Sequence, residues 1–314
     1  MLNPLILLLI DSRSIDCPIR KMTVPNRLEL RNYNLRCEGI NLYDSLGEHE
    51  VSPLSNLLHR YQERVVLLVT NECFMYCRFC TRKRITSVSN RKYDNSKAFE
   101  YIKRNSGISD VLISGGDPFT LQDKEIEIII KNIKAVKHVD VVRIGTRAPV
   151  VMPMRITDEL VEMLSEYKPL FINTHFNHPK EITDSASKAC AKLIDAGIPV
   201  ANQSVLLKGV NDDEETIREL CLKLYRNRIK PYYLYQCDIG VGTEHFRADL
   251  QKGIDIIKFL RKNITGMAVP AFVLDLPNNG GKLAVSLDSI VTEKNGLISI
   301  KDYDGRIHLY PQPE

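Results

Sequence analysis

Apolar runs and amphipathic segments alternate from residue 64 to residue 275, and no other feature constrains the fold as strongly. The apolar runs, which we predict to be strands, cover residues 65–70, 110–114, 140–145, 169–174, 198–204, 230–236 and 268–275. Helical patterns lie between most of them, at residues 122–136, 156–167, 182–196, 214–228 and 248–262. Repeated strand–helix units favour parallel strands joined by right-handed crossovers. The sequence therefore predicts an α/β fold, a partial TIM-like barrel of the (β/α)6 type with its chemistry at the carboxyl ends of the strands.

Both ends of the chain depart from this alternation. Residues 1–60 are irregular, and we predict that they form a short N-terminal extension that packs on the core. Residues 61–282 make up the predicted barrel. Residues 283–314 contain short β segments separated by Asn-Gly and Asp-Gly turn signals, which predict a small C-terminal β appendage.

The composition excludes several classes of protein. The chain has 314 residues and a net charge of +4, from 43 basic and 39 acidic side chains, so nucleic acid is not an expected partner. The apolar run at residues 5–10 is too short to cross a bilayer and lacks a basic leader, so we expect a core strand or a buried helix end and no membrane partner. The eight cysteines show no regular pairing, which favours the reducing cytoplasm over a secreted disulfide framework.

Three closely spaced cysteines follow the first predicted strand. Cys73, Cys77 and Cys80 have the spacing CxxxCxxC, and a loop at the end of a strand can present such thiols together. The other five cysteines are scattered singly, at Cys17, Cys37, Cys190, Cys221 and Cys237. Zinc usually takes four ligands in paired CxxC spacing, whereas iron–sulfur clusters are held by cysteine thiolates. The spacing favours a cluster with one iron open to another ligand, and zinc is the alternative.

An ordered series of motifs resembles the lysine 2,3-aminomutase family of radical S-adenosylmethionine (SAM) enzymes. The motifs are CFMYCRFCTRKR, SGGDPF, GTRAPVV, NTHFNHPKEIT, NQSVLLKGVND, PYYLYQCD, EHFR and DLPNNGGK, within residues 15–310. The resemblance implies a radical SAM barrel with a [4Fe-4S] cluster on Cys73, Cys77 and Cys80, and SAM on the open iron. It further implies pyridoxal 5′-phosphate (PLP) and an external electron donor of the flavodoxin or ferredoxin type.

Residues at the ends of three predicted strands are candidates for binding SAM. They are Ser114, Gly115, Gly116, Asp117, His175 and Gln203. Two adjacent glycines let the backbone approach a ligand closely, and a carboxylate accepts hydrogen bonds from an ammonium group. The resemblance implies that the Ser-Gly-Gly-Asp segment meets the amino group of SAM, and that the histidine and glutamine contact its ribose and carboxylate. A plain strand-to-helix turn and a structural histidine are the alternatives.

Lys282 follows the turn sequence NNGG at residues 278–281. A lysine beside such a turn can form a Schiff base with a carbonyl group, and nearby glycine N–H groups can hold a phosphate. The resemblance implies that Lys282 carries PLP and that Arg60, Tyr61 and Arg64 contact it. The family has glycines where this chain has two asparagines, but asparagine tolerates the left-handed backbone that the turn needs. An exposed loop lysine and a solvated turn are the alternatives.

Three charged residues are candidates for binding the substrate. The resemblance implies that Arg82 binds an amino acid carboxylate and that Asp238 and Asp275 hold the ε-ammonium of lysine. An ammonium group removed from water must be paired with opposite charge, which fits two carboxylates at one mouth of the barrel. The alternative is that either aspartate caps a helix or forms a structural ion pair.

The resemblance therefore implies an isomerase that converts free L-lysine to L-β-lysine by radical migration of the amino group. Arginine as substrate, a protein-bound lysine, and a cluster-binding protein without turnover are alternatives that the residues leave open. Family members that bind zinc between subunits use a cysteine-rich tail and a cysteine near position 213, where this chain has Asp213. We therefore expect a homo-oligomer without structural zinc.

Overall fold

A single sheet of nine strands organises the computed structural model, which describes residues 4–11, 13–30, 39–86, 93–285, 290–294, 296–302 and 305–312. Its strands follow chain order: β1 Leu57–Tyr61, β2 Arg64–Thr70, β3 Asp110–Gly115, β4 Val141–Gly145, β5 Leu170–Thr174, β6 Val200–Leu206, β7 Lys230–Gln236, β8 Ala271–Leu276 and β9 Gly281–Ala284. Strands β2 to β8 are parallel, and β1 and β9 pair antiparallel to them at the two edges. The predicted partial barrel is confirmed, and each of its predicted strands is present.

Helices cover the outside of the sheet and connect its parallel strands. The α-helices are α1 Pro4–Leu9, α2 Pro18–Thr23, α3 Lys83–Thr86, α4 Ser96–Arg104, α5 Asp123–Lys134, α6 Ala148–Val151, α7 Asp158–Ser165, α8 Asp184–Asp195, α9 Glu214–Arg226 and α10 Leu250–Asn263. Short 3-10 helices span Arg27–Leu30, Pro118–Thr120, Pro153–Arg155, Pro179–Glu181, Glu244–Phe246 and Gly266–Ala268. The five predicted helices correspond to α5, α7, α8, α9 and α10, while α4 was not among them.

Local sequence explains where the crossover helices begin. The side chains of Thr157, Thr183 and Asp213 accept hydrogen bonds from backbone N–H groups in the first turns of α7, α8 and α9. Such N-caps satisfy donors that have no partner inside a helix. Helix α9 then buries Ile217 and Leu220 on one face, which anchors it to the sheet.

Alternation along each strand separates the core from a central cavity. In β3, Val111 and Ile113 are buried in the hydrophobic core, whereas Leu112 and Ser114 line the cavity. Successive side chains of a strand point to opposite faces, so apolar positions anchor the helices while intervening positions reach the interior. Polar residues near the carboxyl ends of several strands therefore share one cavity.

The two antiparallel edge strands meet beside Lys282. Lys282 directly follows the predicted turn and lies in β9, where it pairs in register with Asp275 of β8, so it is not the exposed loop lysine of the alternative reading. The preceding turn has left-handed backbone at Asn278 and Asn279, with φ angles of 51° and 61°, so the expected tolerance of asparagine is confirmed. The backbone N–H of Lys282 donates to the Tyr61 hydroxyl at 2.7 Å and so links β9 to β1.

The segments outside the barrel differ in how they compare with the prediction: the N-terminal region contains helices where irregular structure was predicted, and the C-terminal region forms the predicted β structure. The N-terminal region contains α1 and α2, and the run at residues 5–10 is largely helix, with Ile6 buried. At the other end, β10 Ile290–Lys294, β11 Leu297–Lys301 and β12 Ile307–Pro311 form an antiparallel sheet. Among the residues described, no helix is long and apolar enough to cross a membrane.

The ends of β2 and β3 approach each other too closely for any side chain at Gly115 or Gly116. The N–H of Gly116 donates to the Thr70 carbonyl at 2.8 Å, and a Cβ at Gly116 would lie 2.0 Å from the Glu72 carbonyl oxygen. At Gly115 the φ angle is 142°, and a Cβ would lie 2.2 Å from the Thr70 oxygen. This backbone contact sets the start of the loop that carries the three cysteines.

Gly116→Ala should destabilise the fold because its Cβ meets backbone atoms that no rotamer change can move. We expect the free energy of unfolding to fall by at least about 2 kcal/mol, as in other overpacked sites. Urea denaturation of the cofactor-free protein measures it. Gly145→Ala is the matched control at the end of β4, since its Cβ would meet no other atom closer than 3.6 Å. Equal stability of the two variants would contradict the prediction.

Candidate active site

A cavity of about 610 Å³ opens at the carboxyl ends of the parallel strands. Its volume lies in the range of roughly 300–1,000 Å³ that is typical of small-molecule sites. Most of the predicted site residues line it: Cys73, Cys77, Cys80, Arg82, Ser114, Gly115, Gly116, Asp117, His175, Gln203, Asp238 and Asp275. The fold thus brings the predicted cluster, SAM and substrate residues together in one cavity. Lys282 does not line the cavity, but its Nζ contacts Asp275, which does. Arg60, Tyr61 and Arg64 lie outside the cavity.

The cysteine loop contributes one wall of the cavity. Burial raises the pKa of Cys73 well above its usual value, with the Asp117 carboxylate and the other two thiols adding to the shift. Burial also raises the pKa of Cys80 to about 11. Three thiols on one loop are the type of donor that holds an iron–sulfur cluster, so the residues present fit such a group. Within the described ranges no three His, Cys, Asp or Glu side chains are grouped to hold a single metal ion.

Arg147, which lies after β4, connects the cysteine loop to the segment after β5, and the sequence prediction missed it. Its Nη1 donates to Cys77 Sγ at 2.7 Å, its Nη2 pairs with Glu181 Oε1 at 2.5 Å, and its Nε donates to the His175 carbonyl at 3.1 Å. Burial opposes its charge, but the Cys77 and Glu181 groups raise the pKa of Arg147 overall. The signal was present in the motif GTRAPVV, where an arginine follows directly on the end of a strand.

The Ser-Gly-Gly-Asp segment is held in place by its own aspartate. The Asp117 carboxylate accepts hydrogen bonds from Phe119 N, Thr146 Oγ1 and Arg147 N, at 3.0, 2.7 and 2.8 Å. Burial raises the pKa of Asp117 to about 6 despite these hydrogen bonds. The carboxylate thus fixes the turn after β3, and Ser114 and the two glycines face the cavity from that turn.

His175 and Gln203 lie on neighbouring strands with polar groups toward the cavity. His175 Nε2 is 3.0 Å from Asn177 Oδ1, and burial together with the positive charge of Arg147 lowers the pKa of His175 to about 3. The imidazole is therefore neutral at pH 7 and acts as a hydrogen-bonding group without charge. Gln203 Nε2 donates to the Tyr235 hydroxyl at 3.4 Å.

A cation-binding pocket lies where β7 and β8 end and β9 begins. Lys282 Nζ contacts both carboxylate oxygens of Asp275 at 2.8 and 2.9 Å and lies 4.0 Å from the centre of the Tyr235 ring. Asp238 lines the same part of the cavity, and its Oδ1 is buried without a hydrogen-bond partner among the described residues. Burial raises the pKa of Asp238 to about 8, with the Asp275 charge adding to the shift. Two carboxylates and an aromatic face are a suitable site for an alkylammonium group.

The residues predicted to contact PLP lie behind Lys282, on the β1–β2 hairpin. Tyr61 accepts the Lys282 N–H, and the Arg64 guanidinium lies 4.0 Å from the centre of the Tyr61 ring. Arg60 Nη2 donates to the Leu46 carbonyl, while its Nε is buried without a partner in the described chain. Of these three residues, Tyr61 is the one that contacts Lys282 directly.

Comparison with known proteins agrees with this architecture. The family model described as "Radical SAM superfamily" matches residues 67–221, and the one described as "Lysine-2,3-aminomutase" matches residues 257–314. L-lysine 2,3-aminomutase from Fusobacterium nucleatum is 44% identical over all of this chain and 73% of that protein, and the enzyme from Acetoanaerobium sticklandii is 45% identical over all of this chain and 75% of that protein. Glutamate 2,3-aminomutase from Clostridioides difficile is 40% identical over 98% of this chain and 72% of that protein.

Solved structures share the fold at much lower identity. Streptococcus suis SuiB bound to S-adenosylmethionine superposes with a TM-score of 0.51 and 19% identity, over 70% of this chain and 48% of that chain. At this identity the likeness supports the barrel architecture alone.

Asp238→Asn should stabilise the cofactor-free protein increasingly as pH rises. The pKa of Asp238 in the folded protein is raised above the ordinary value of about 3.9. As pH rises, the unfolded chain therefore releases this proton before the folded protein does. The wild-type protein loses stability from about pH 4 to pH 8 for this reason. The variant lacks this loss. We expect its advantage in unfolding free energy to grow by about 1–3 kcal/mol between pH 5.5 and 7.5. Urea denaturation across this range measures it.

Asp140→Asn is the matched control, because Asp140 is exposed on the surface. Its difference from wild type should stay flat over the same pH range. A flat difference for Asp238→Asn as well would contradict the buried, unpaired state of that carboxyl group.

Proposed function

The chain belongs to the lysine 2,3-aminomutase family of radical SAM enzymes, and on that premise we propose that it isomerises free L-lysine to L-β-lysine. The observation that carries the choice of substrate is the cation-binding pocket formed by Asp238, Asp275 and Tyr235. This pocket contacts the alkylammonium group of Lys282, which has the same chemistry as the ε-ammonium group of lysine.

The charge of this pocket discriminates between substrates better than overall identity does. Relatives named for lysine and for glutamate are 44% and 40% identical to this chain, which is a small difference. A substrate carboxylate placed in this pocket would meet the charge of Asp275 and the carboxyl group of Asp238, whereas an ammonium group would be paired. The pocket therefore supports a basic amino acid.

Three sets of residues would hold the cofactors. Cys73, Cys77 and Cys80 would hold the [4Fe-4S] cluster, and the lining residues Ser114, Gly115, Gly116, Asp117, His175 and Gln203 would surround SAM. Lys282 would carry PLP as a Schiff base, with Arg60, Tyr61 and Arg64 near its phosphate. When bound, the cluster with SAM supplies a carbon radical that removes and returns hydrogen, and PLP supplies the conjugated carbonyl that lets the nitrogen migrate.

The remaining chemistry is the work of the protein's own side chains. Arg82 would bind the substrate carboxylate, while Asp238 and Asp275 would hold the ε-ammonium group at the other end of the molecule. Holding both ends fixes which carbon faces the radical source, and such orientation accounts for much of the rate that enzymes gain. His175 is neutral, so it would offer hydrogen bonds to a ligand in the cavity without adding a charge there.

Several further features remain part of the proposal. The electron that reduces the cluster would come from a flavodoxin- or ferredoxin-type donor. Residues 61–282 would form the catalytic unit, with residues 1–60 packed on it and residues 283–314 as an appendage. We also predict a homo-oligomer without structural zinc.

Lys282→Ala should abolish covalent PLP binding. The wild-type protein incubated with PLP should develop the visible band of a PLP–lysine Schiff base, and reduction with borohydride should leave the label on the peptide that contains Lys282. The Ala variant should show neither. Lys262→Ala removes an exposed lysine at the end of α10 and should keep both signals. A label on another lysine in the wild-type protein would contradict the assignment.

Anaerobic incubation with iron, sulfide, PLP, dithionite and SAM tests the substrate. We expect β-lysine from lysine, and little or no product from arginine or glutamate. Asp275→Asn should reduce kcat/KM for lysine about 100-fold or more, because it removes a buried charge partner. Cys77→Ala should remove activity through loss of the cluster.

Each other outcome points to a specific correction. Product from arginine alone would keep the chemistry and replace the substrate. Product from glutamate would contradict the role of the two aspartates. Cleavage of SAM without reaction of any free amino acid would favour a protein-bound lysine.

A further inference from the structure

A loop from the N-terminal region enters the active-site cavity, although its sequence carries no recognisable motif. Asp44, Ser45 and Glu48 in this loop are buried, and Leu46 and Glu48 line the cavity. The Asp44 carboxylate accepts hydrogen bonds from the N–H groups of Glu48 and His49, at 3.0 and 2.9 Å. We call residues 44–49 the mouth loop. Its own aspartate fixes its shape, so it can hold other groups in place.

The end of the mouth loop pairs with two arginines that follow the cysteines. Glu48 Oε1 accepts from Arg82 Nε at 3.1 Å and from Arg82 Nη2 at 2.9 Å, and Glu48 Oε2 accepts from Arg84 Nη2. Arg84 Nη2 also lies 3.1 Å from Asp44 Oδ1. Burial opposes the charge of Glu48, but Arg82 and Arg84 lower the pKa of Glu48 to about 2. Glu48 is therefore ionised at pH 7.

This pairing leaves one side of Arg82 available to a ligand. A guanidinium group has five N–H donors. Glu48 takes the edge formed by Nε and Nη2, and Ser114 Oγ accepts from Nη1 at 3.2 Å. Within the described chain, one N–H on each Nη nitrogen makes no hydrogen bond to the protein, so the Nη1 and Nη2 side of the guanidinium keeps donors for a carboxylate. Glu48 thus determines which edge of Arg82 is free.

The mouth loop also holds the opposite end of the site. The Ser45 and Leu46 carbonyls accept from the N–H groups of Asn278 and Asn279, at 2.9 and 3.2 Å, in the turn before Lys282. The Ser45 hydroxyl donates to the carbonyl of Ile239, the residue after Asp238. One short loop therefore contacts the arginine, the Lys282 turn and the segment that carries Asp238.

We propose that Glu48 is a positioning residue for the amino acid substrate: it orients Arg82 so that the free edge of the guanidinium receives the substrate α-carboxylate. The inference rests on the proposed function for the nature of the substrate. A merely structural role for Glu48 would affect stability and would weaken binding of all ligands alike. A positioning role weakens specifically the binding of ligands that carry the α-carboxylate.

The test is equilibrium binding of lysine to protein loaded with cluster, SAM and PLP, measured by calorimetry without reductant so that no turnover occurs. Glu48→Gln keeps the shape of the side chain and removes its charge. We expect this variant to bind lysine about 10- to 100-fold more weakly, because the Arg82 guanidinium is then misplaced. Lysinamide, which lacks the carboxylate, should bind wild type and variant within about twofold of each other.

Two controls separate positioning from loss of structure. Glu50→Gln changes an exposed glutamate two residues away and should bind lysine like wild type. The iron content and the PLP band of Glu48→Gln should match those of wild type. In a double-mutant cycle with Arg82→Gln, the two substitutions should be strongly non-additive, because both remove the same carboxylate contact.

The outcomes distinguish this inference from the proposed function. Equal weakening of lysine and lysinamide, or additivity with Arg82→Gln, would overturn the role of Glu48 and leave the function intact. Selective weakening of lysine in a protein that makes no β-lysine would support the role of Glu48 and overturn the function. A wild-type protein that binds no free amino acid would overturn both.

Discussion

Charged groups that are largely removed from water must be paired, and this requirement determines how the loops at the carboxyl ends of the strands are arranged. Arg147 pairs with Glu181, Arg82 with Glu48, and Lys282 with Asp275. The first two pairs join segments that are 34 residues apart in sequence. Removing one partner of such a pair leaves an uncompensated buried charge, which is far more costly than never having the pair. The pairs therefore fix the relative positions of the strand ends and of the cysteine loop between them.

At the Lys282 end of the site, the register of the sheet sets the position of the ion pair. Asp275 and Lys282 are directly opposite each other on antiparallel strands, so the ion pair follows from backbone pairing and needs no adjustment of a flexible loop. Under the proposed function, Lys282 Nζ leaves Asp275 when it takes up its cofactor. The same carboxylate then becomes available to the substrate ammonium group, next to Asp238. One pocket thus contacts two chemically similar cations in turn.

The sequence was a good guide to the barrel because hydrophobic periodicity is local. Every parallel strand and five of the crossover helices were predicted from it, and the motifs at the strand ends proved to line one cavity. Strand β1 and strand β9 were missed, because residues 57–61 and 281–284 are short and lie beside charged or glycine-rich turns. Arg147 and Glu48 were also missed. Their importance comes from partners 70 and 34 residues away, and a single sequence does not display such pairing.

Substrate choice depends on a small part of this structure. Under the proposed function, the barrel, the cysteine loop and the turn before Lys282 would serve cofactors, and this task does not depend on the side chain of the amino acid. The side chain of the substrate would then meet only the pocket of Asp238, Asp275 and Tyr235. There burial and the charge of Asp275 raise the pKa of Asp238, so a cation beside this carboxyl group favours its ionised form. The binding of a cationic side chain thus relieves a cost that the empty pocket carries, and an acidic side chain would increase that cost.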